Sequence, residues 1–210
     1  MITLYSFPAS RSLRVAWTLE ELGLDYACQQ VDLAAGAGRE GAHLARHPDG
    51  KVPVLEDGEL TLFESAAICR YLAERYGEPG GLLPASLEDR ARVDQWLFFT
   101  TCELEQALWS QAKHKFTLPR ERRVPAVLPT AAWEFQRALE ALARRFDGEG
   151  WLVGDHFTLA DLLLGHTLSW AVQFKTRLPA ALEAYRQRCA SRPALARAVA
   201  RERAAADEPA

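Results

Sequence analysis

The run HPDGKVPVL occupies residues 47–55, and the pair Glu64-Ser65 follows it shortly along the chain. Proline has no N–H to donate to a sheet, so Pro53 belongs at a strand start or at a break in pairing. If the peptide bond before Pro53 is cis, Val52 can turn its own N–H and C=O outward. An edge of this kind pairs with an extended peptide. The run therefore predicts a strand edge that is open to a peptide-like ligand.

The pair Glu64-Ser65 lies at a predicted junction between a strand and a helix. The first backbone N–H groups of a helix have no intrahelical partner, and the helix dipole favours an anion there. The Ser65 hydroxyl adds a donor, both as a helix cap and as a ligand contact, and Glu64 can accept from an ammonium group. A peptide-like ligand with an α-amino acid end and one further carboxylate fits this arrangement.

Outward from this segment, the first 77 residues alternate between short strands and helices. Asp57-Gly58 is a two-residue turn signal between apolar runs and predicts a hairpin. The predicted order is a strand, a helix, a second strand, a short helix, a hairpin and a helix that closes at Gly77. The corresponding segments are Ile2 onward, Ser10 to Leu22, Tyr26 to Val31, His43 to Arg46, Val52 to Phe63, and Glu64 onward. This order predicts a βαβ unit joined to a ββα unit around a mixed sheet.

Strand patterns disappear after the Gly- and Pro-rich stretch at residues 78–86, which is typical of a linker. Helices are predicted from Ser86, over residues 130–145, and from Thr158, where Thr158 and Asp161 form a capping-box signature. Pro193 should end one helix and begin the next. We therefore expect an α/β domain at residues 1–77, an all-α domain at residues 87–203, and a frayed tail at residues 204–210.

Composition excludes several classes of function. The net charge of −3 gives no field that would attract nucleic acid or an anionic membrane. No window is apolar enough to span a bilayer, and the first residues lack the features of a signal peptide, which favours a cytoplasmic location. The cysteines form no CxxC pair and have no metal-ligand spacing, so we expect reduced thiols and no metal. They are Cys28, Cys69, Cys102 and Cys189.

The order HPDGKVPVL followed by ESAAI, after an N-terminal βαβ unit, resembles the glutathione transferase family. The resemblance covers nearly the whole chain and implies a thioredoxin-like domain followed by an all-helical domain. It implies that Val52 binds the cysteinyl backbone of glutathione and that Pro53 is the cis proline. Glu64 and Ser65 would hold the γ-glutamyl end, and Lys51 would lie near the glycyl carboxylate. For Lys51 a solvated surface position is the alternative.

The family places its thiol-activating residue in the first strand-to-helix turn, which here reads SFPASRS over residues 6–12. This turn resembles that of serine-type bacterial and fungal members with an SRSxR run. Ser10 is the first candidate, because a hydroxyl at a helix N-terminus can donate to a thiolate. Arg11 and Ser12 are neighbours that could take or assist this role, and Ser10 could instead only cap the helix. The turn contains no cysteine, which disfavours a disulfide oxidoreductase.

The resemblance implies an enzyme that joins the sulfur of glutathione, a co-substrate rather than a cofactor, to a small hydrophobic electrophile. Trp109, His114 and Phe116 are candidates for the electrophile pocket, although Trp109 could be core and His114 an exposed residue between two lysines. Another glutathione-dependent reaction on the same fold remains open: isomerase, dehalogenase, peroxidase or ether lyase. A non-catalytic glutathione-binding or regulatory protein is the third reading. The resemblance also implies a two-fold homodimer.

Overall fold

A four-stranded mixed sheet forms the centre of the first unit of the chain. The structure is a computed structural model that describes residues 1–207. The strands are β1 (Ile2–Ser6), β2 (Tyr26–Gln30), β3 (Val54–Asp57) and β4 (Leu60–Phe63), in the order β2-β1-β3-β4. Strand β1 runs parallel to β2 and antiparallel to β3, and β3 and β4 form the hairpin that Asp57-Gly58 predicts. The predicted mixed sheet is confirmed.

Three helices connect and cover these strands. They are α1 (Ser12–Glu21), α2 (Gly41–Leu44) and α3 (Ser65–Tyr76). Apolar side chains of the sheet and of these helices, such as Leu4, Val15 and Ile68, have no exposed surface and form the core of this unit. The short helix α2 begins at Gly41, two residues before the predicted start at His43. Glu40 is the last residue with an extended backbone before the helix.

A second compact unit covers Pro84–Ala190 and is helical. It contains α4 (Leu87–Phe99), α5 (Glu105–Ala112), α6 (Leu128–Ala143), α7 (Leu159–Gln173) and α8 (Ala180–Ala190). One π-helical turn, Thr100–Leu104, joins α4 to α5, and a second, Lys113–Thr117, follows α5. Ser86 caps α4 by accepting a hydrogen bond from the Asp89 N–H at 3.0 Å, as the sequence predicts.

The start of α7 carries the predicted capping box. The Asp161 carboxylate accepts from the Thr158 N–H at 2.8 Å and from the Thr158 hydroxyl at 2.9 Å. It also accepts from the Leu152 N–H at 2.9 Å and from the Tyr185 hydroxyl at 2.7 Å. Because Thr158, Asp161 and Tyr185 are fully buried, this carboxylate joins α7, α8 and the preceding loop inside the helical unit.

The last helix, α9 (Pro193–Asp207), packs against α1 and β2 and belongs to the first compact unit. Its buried face is a stripe of small residues, Ala194, Ala198 and Ala205, which lets it lie close to α1. This differs from the expected division, in which residues 87–203 form one domain. Residues 204–207, expected as part of a frayed tail, form the last turn of α9, with Ala205 buried, and residues 208–210 lie outside the described residues.

Ion pairs hold α9 against α1. The Arg192 guanidinium binds the Glu21 carboxylate at 2.5 Å, and Arg197 binds Glu20 at 2.8 Å. No helix within the described residues is long and apolar enough to cross a bilayer.

Candidate active site

The turn between β1 and α1 presents Ser10 at the start of a helix. Helix α1 begins at Ser12, Arg11 occupies the cap position, and the Ser10 side chain accepts from the Ser12 N–H at 3.1 Å. Ser10 and Arg11 are each half-buried. The cap position is therefore Arg11 rather than the predicted Ser10, but the Ser10 hydroxyl accepts from the first helical N–H and keeps part of its surface exposed.

Ser12 is fully buried, and its hydroxyl is surrounded by polar partners. The Phe7 N–H donates to Ser12 Oγ at 3.2 Å, and the Ser10 and Ser12 hydroxyl oxygens lie 2.8 Å apart. Ser12 also lies 2.5 Å from a carboxylate oxygen of Glu202 on α9. Ser12 therefore has no exposed surface for a ligand, and any part that it takes in the chemistry acts through Ser10.

Val52 and Pro53 directly precede β3. The peptide bond between them is cis, as the resemblance implies, and both side chains are buried. The register of β3 with β1 begins at Val54, so the main chain of Val52 lies outside the ladder. His43 in α2 binds the main-chain oxygen of Lys51 at 2.9 Å and thereby holds the residue before Val52 in place.

The Lys51 side chain is exposed and forms an ion pair with Asp49 at 2.6 Å. The hydrogen bond from Lys51 lowers the pKa of the Asp49 carboxyl below its ordinary value. An exposed ion pair of this kind contributes little to the stability of the fold. A ligand carboxylate can therefore displace Asp49 from Lys51 with little loss of stability.

Glu64 and Ser65 form the start of α3, where the sequence predicts a carboxylate site. Glu64 is exposed and has a left-handed backbone with φ 73°, and Ser65 is 5% exposed. The buried Arg14 side chain on α1 donates to the Ser65 hydroxyl at 3.3 Å. Arg14 therefore adds a positive charge behind the helix N-terminus, which favours a bound anion.

Two residues with side chains adopt left-handed backbone conformations in these two turns. Ala9 has φ 58° in the first turn, and Glu64 has φ 73° at the start of α3. Such conformations cost about 1–3 kcal/mol each and concentrate at functional sites. Their positions beside Ser10 and Ser65 support a ligand site in this unit.

The three pocket candidates lie in the helical unit. Trp109 is half-buried in α5, and His114 and Phe116 lie in the π-helical turn that follows it. The Val124 N–H donates to the His114 ring at 3.1 Å, and His114 is half-buried rather than exposed as its lysine neighbours suggest. Phe116 is exposed, and the centroid of its ring lies 5.9 Å from the centroid of the Phe174 ring.

Arg14 and Glu202 are polar residues of this unit that the sequence reasoning missed. The sequence pattern could have revealed both, because it places each charged residue on an apolar helix face. Arg14 lies within the apolar run of α1, and Glu202 follows Ala198 by four residues on the alanine stripe of α9. A charged residue on a buried helical face needs a partner or shifts its pKa. Burial raises the pKa of Glu202 from 4.5 to about 7, and the hydrogen bond from Ser12 opposes that shift.

This shift predicts how stability depends on pH. Because the folded pKa of Glu202 exceeds the unfolded value of 4.5, the unfolded chain loses this proton first as pH rises. The loss of folding stability caused by burying the ionised Glu202 side chain is absent below pH 4.5. It grows as the pH approaches 7 and is complete above pH 7. The Glu202→Gln variant should therefore gain up to about 3 kcal/mol over the wild type between acidic and alkaline pH, measured by urea unfolding. A difference between the two proteins that does not change with pH would contradict this expectation.

The fold and the site define a two-part protein, with a cis proline before β3 in the mixed α/β unit and a helical unit after it. The family model described as the N-terminal domain of glutathione S-transferase matches residues 1–74. The model of the C-terminal domain of glutathione S-transferase matches residues 106–193. The chain therefore belongs to the glutathione S-transferase family, and the predicted family and fold are confirmed.

Individual relatives support the same assignment. Glutathione S-transferase 4 of Zea mays is 39% identical over 152 residues, which are 71% of this chain and 67% of the maize protein. Disulfide-bond oxidoreductase YfcG of Escherichia coli K12 is 31% identical over 208 residues, 95% of this chain and 94% of that protein. A glutathione transferase family member from Pseudomonas fluorescens pf-5, solved with two glutathione bound, is 25% identical with a TM-score of 0.80. The match covers 94% of this chain and 92% of that one.

Proposed function

We propose that this chain is a serine-type glutathione transferase, in which Ser10 donates a hydrogen bond to the glutathione thiolate. The observation that carries the proposal is the Ser10 hydroxyl at the start of α1, half-open on one side and held by the buried Ser12 on the other. A free thiol has a pKa of ~8.5, and a hydrogen bond at a helix N-terminus lowers it. The reactive thiolate then forms at neutral pH.

The second half of the proposal concerns how the tripeptide is held. The main chain of Val52, outside the ladder, is suited to pair with the cysteinyl backbone, next to Pro53. The N-terminus of α3 with Ser65 suits the γ-glutamyl carboxylate, and the exposed Glu64 suits its ammonium group. Lys51 exchanges Asp49 for the glycyl carboxylate. Positioning and a lowered thiol pKa are then the whole contribution of this unit to catalysis.

The reaction forms a bond between the thiolate sulfur and an electrophilic carbon. The thiol proton is lost first, and the electron pair of the displaced bond leaves with a group or stays on the electrophile. We assign the electrophile, a small hydrophobic molecule, to the helical unit, with Trp109, His114 and Phe116 as candidate contacts. Isomerase, dehalogenase, peroxidase and ether lyase reactions use the same thiolate and differ in the electrophile.

Titration calorimetry with glutathione tests the site. Glu64→Ala and Ser65→Ala should each weaken binding by about ten-fold or more, because each removes a polar contact to a charged end of the ligand. Glu59→Ala is the matched control: Glu59 is an exposed glutamate in the turn of the same hairpin and should leave affinity unchanged. Absence of binding at millimolar glutathione, or unchanged affinity in both site variants, would reject the proposal and favour a protein that acts through a partner surface.

Reduction of disulfides is the second candidate, favoured by the similarity to the Escherichia coli oxidoreductase over nearly the whole chain. The first turn carries no cysteine, so the attacking sulfur would belong to glutathione. Two glutathione molecules would then reduce one small disulfide, giving glutathione disulfide and two thiols. Parallel assays of conjugation to an aryl halide and of reduction of hydroxyethyl disulfide decide between the two reactions.

The two-fold homodimer remains a prediction from the family. Light scattering on the purified protein measures it directly, and a monomeric mass would reject it.

A further inference from the structure

A chain of three oxygen atoms leads from the surface of the first turn into the contact between α1 and α9. Ser10 Oγ lies 2.8 Å from Ser12 Oγ, which lies 2.5 Å from Glu202 Oε1. Ser12 and Glu202 are buried, with Glu202 3% exposed, whereas Ser10 is half-buried. Each link is within hydrogen-bond distance, so the chain can carry a proton from one end to the other.

The direction in which these hydrogen bonds are donated depends on whether Glu202 is protonated. An ionised carboxylate can only accept, so the Ser12 hydroxyl donates to Glu202, and Ser12 Oγ is then free to accept from Ser10. A protonated carboxyl group can instead donate to Ser12 Oγ. Ser12 then donates to Ser10 Oγ, and the Ser10 hydroxyl donates outward.

We propose that Glu202 receives the thiol proton of glutathione through the hydroxyl groups of Ser10 and Ser12, and so helps to form the thiolate. The proposal rests on the proposed function, since it needs glutathione beside Ser10. The S–H bond breaks as its proton moves to Ser10 Oγ, the Ser10 proton moves to Ser12 Oγ, and the Ser12 proton moves to Glu202. One S–H bond is lost, one carboxyl O–H bond forms, and no electrons are transferred between groups.

The product state of this transfer has the arrangement that a thiolate needs. After it, Glu202 donates to Ser12, Ser12 donates to Ser10, and Ser10 donates to the sulfur. The same event removes the buried negative charge of Glu202, which would otherwise repel the thiolate through the low-dielectric interior. A carboxyl group whose pKa lies at about 7 is well matched to this exchange at neutral pH.

Several of the charged groups around α9 are engaged with one another. The titratable groups on α1, on its cap and on β2, the elements that pack against α9, are Arg11, Arg14, Glu20, Glu21, Tyr26 and Cys28. Glu20 binds Arg197 on α9, and Glu21 binds Arg192, which directly precedes α9. Arg201 of α9 lies over the Tyr26 ring at 5.0 Å. Glu202 itself is bound to the Ser12 hydroxyl, and burial is the main cause of its raised pKa.

The count of protons released on glutathione binding tests the proposal. Calorimetry in two buffers of different ionisation enthalpy gives this count, and the ultraviolet absorbance of the thiolate gives the amount of thiolate formed. At pH ~7.5, above the pKa of Glu202 and below that of a free thiol, the wild type should release fewer than about half a proton per thiolate. In Glu202→Gln the thiol proton must go to the solvent, so about one proton per thiolate should be released.

Two further variants complete the test. Ser12→Ala removes the hydrogen bond that favours the ionised form of Glu202, so Glu202 already holds a proton before glutathione binds and cannot take the thiol proton, and about one proton per thiolate should again be released. Glu21→Gln is the matched control, because it weakens the contact between α1 and α9 outside the hydroxyl chain, and it should behave like the wild type. Equal proton counts in the wild type, Glu202→Gln and Ser12→Ala would overturn the relay and leave the proposed function standing. Absence of glutathione binding by the wild type would overturn both.

Discussion

Asp161→Ala should destabilise the helical unit by about 3–5 kcal/mol. The buried Asp161 carboxylate accepts from the main-chain N–H groups of Thr158 and Leu152 and from the Tyr185 hydroxyl. Alanine leaves these donors buried without a partner, and each such donor costs about 1–3 kcal/mol. The sequence alone suggests a smaller loss, about 1 kcal/mol for a helix cap, because it does not reveal Leu152 and Tyr185.

Urea unfolding followed by tryptophan fluorescence measures this loss. Tyr185→Phe removes one of the donors together with its need for a partner, so it should cost only about 1 kcal/mol. Asp155→Ala, at a fully exposed side chain six residues earlier, is the matched control and should change little. If Asp161→Ala cost no more than Tyr185→Phe, the buried carboxylate would be a simple cap rather than the junction of three segments.

Ser10→Ala should lower the turnover of conjugation by about 100-fold while glutathione affinity stays nearly unchanged. The Ser10 hydroxyl stabilises the thiolate, which is the reactive form, whereas the tripeptide is held by Val52, Glu64 and Ser65. The variant also loses the contact from the Ser12 N–H, so a stability loss of about 1 kcal/mol should accompany the loss of turnover.

Steady-state kinetics with an aryl halide and calorimetry with glutathione separate these two effects. Ser86→Ala is the matched control, because the Ser86 hydroxyl also accepts from a main-chain N–H at the start of a helix but lies in the helical unit. This variant should lose stability and keep its turnover. A parallel loss of turnover and affinity in Ser10→Ala would assign Ser10 to ligand binding, and unchanged turnover would move the thiol contact to Arg11.

Local sequence signals were sufficient for the elements that carry the proposed glutathione site. Asp57-Gly58 specifies the hairpin through a turn that needs a left-handed residue, and Gly58 has φ 61°. The order of Val52-Pro53 and Glu64-Ser65 placed the start of β3 and the start of α3 close to their observed positions. These features depend on neighbours in the chain, so residue types and spacing carry them.

Long-range contacts were beyond such signals. Glu202 meets Ser12 across 190 positions of sequence, and Arg14 meets Ser65 across 51. The alanine stripe of α9 indicates a buried face but not which helix covers it, so the assignment of α9 to the first unit also required the folded chain. Propensity and turn chemistry act between near neighbours and therefore predict elements, whereas burial beside a distant partner sets the pKa of Glu202 and encloses Ser12.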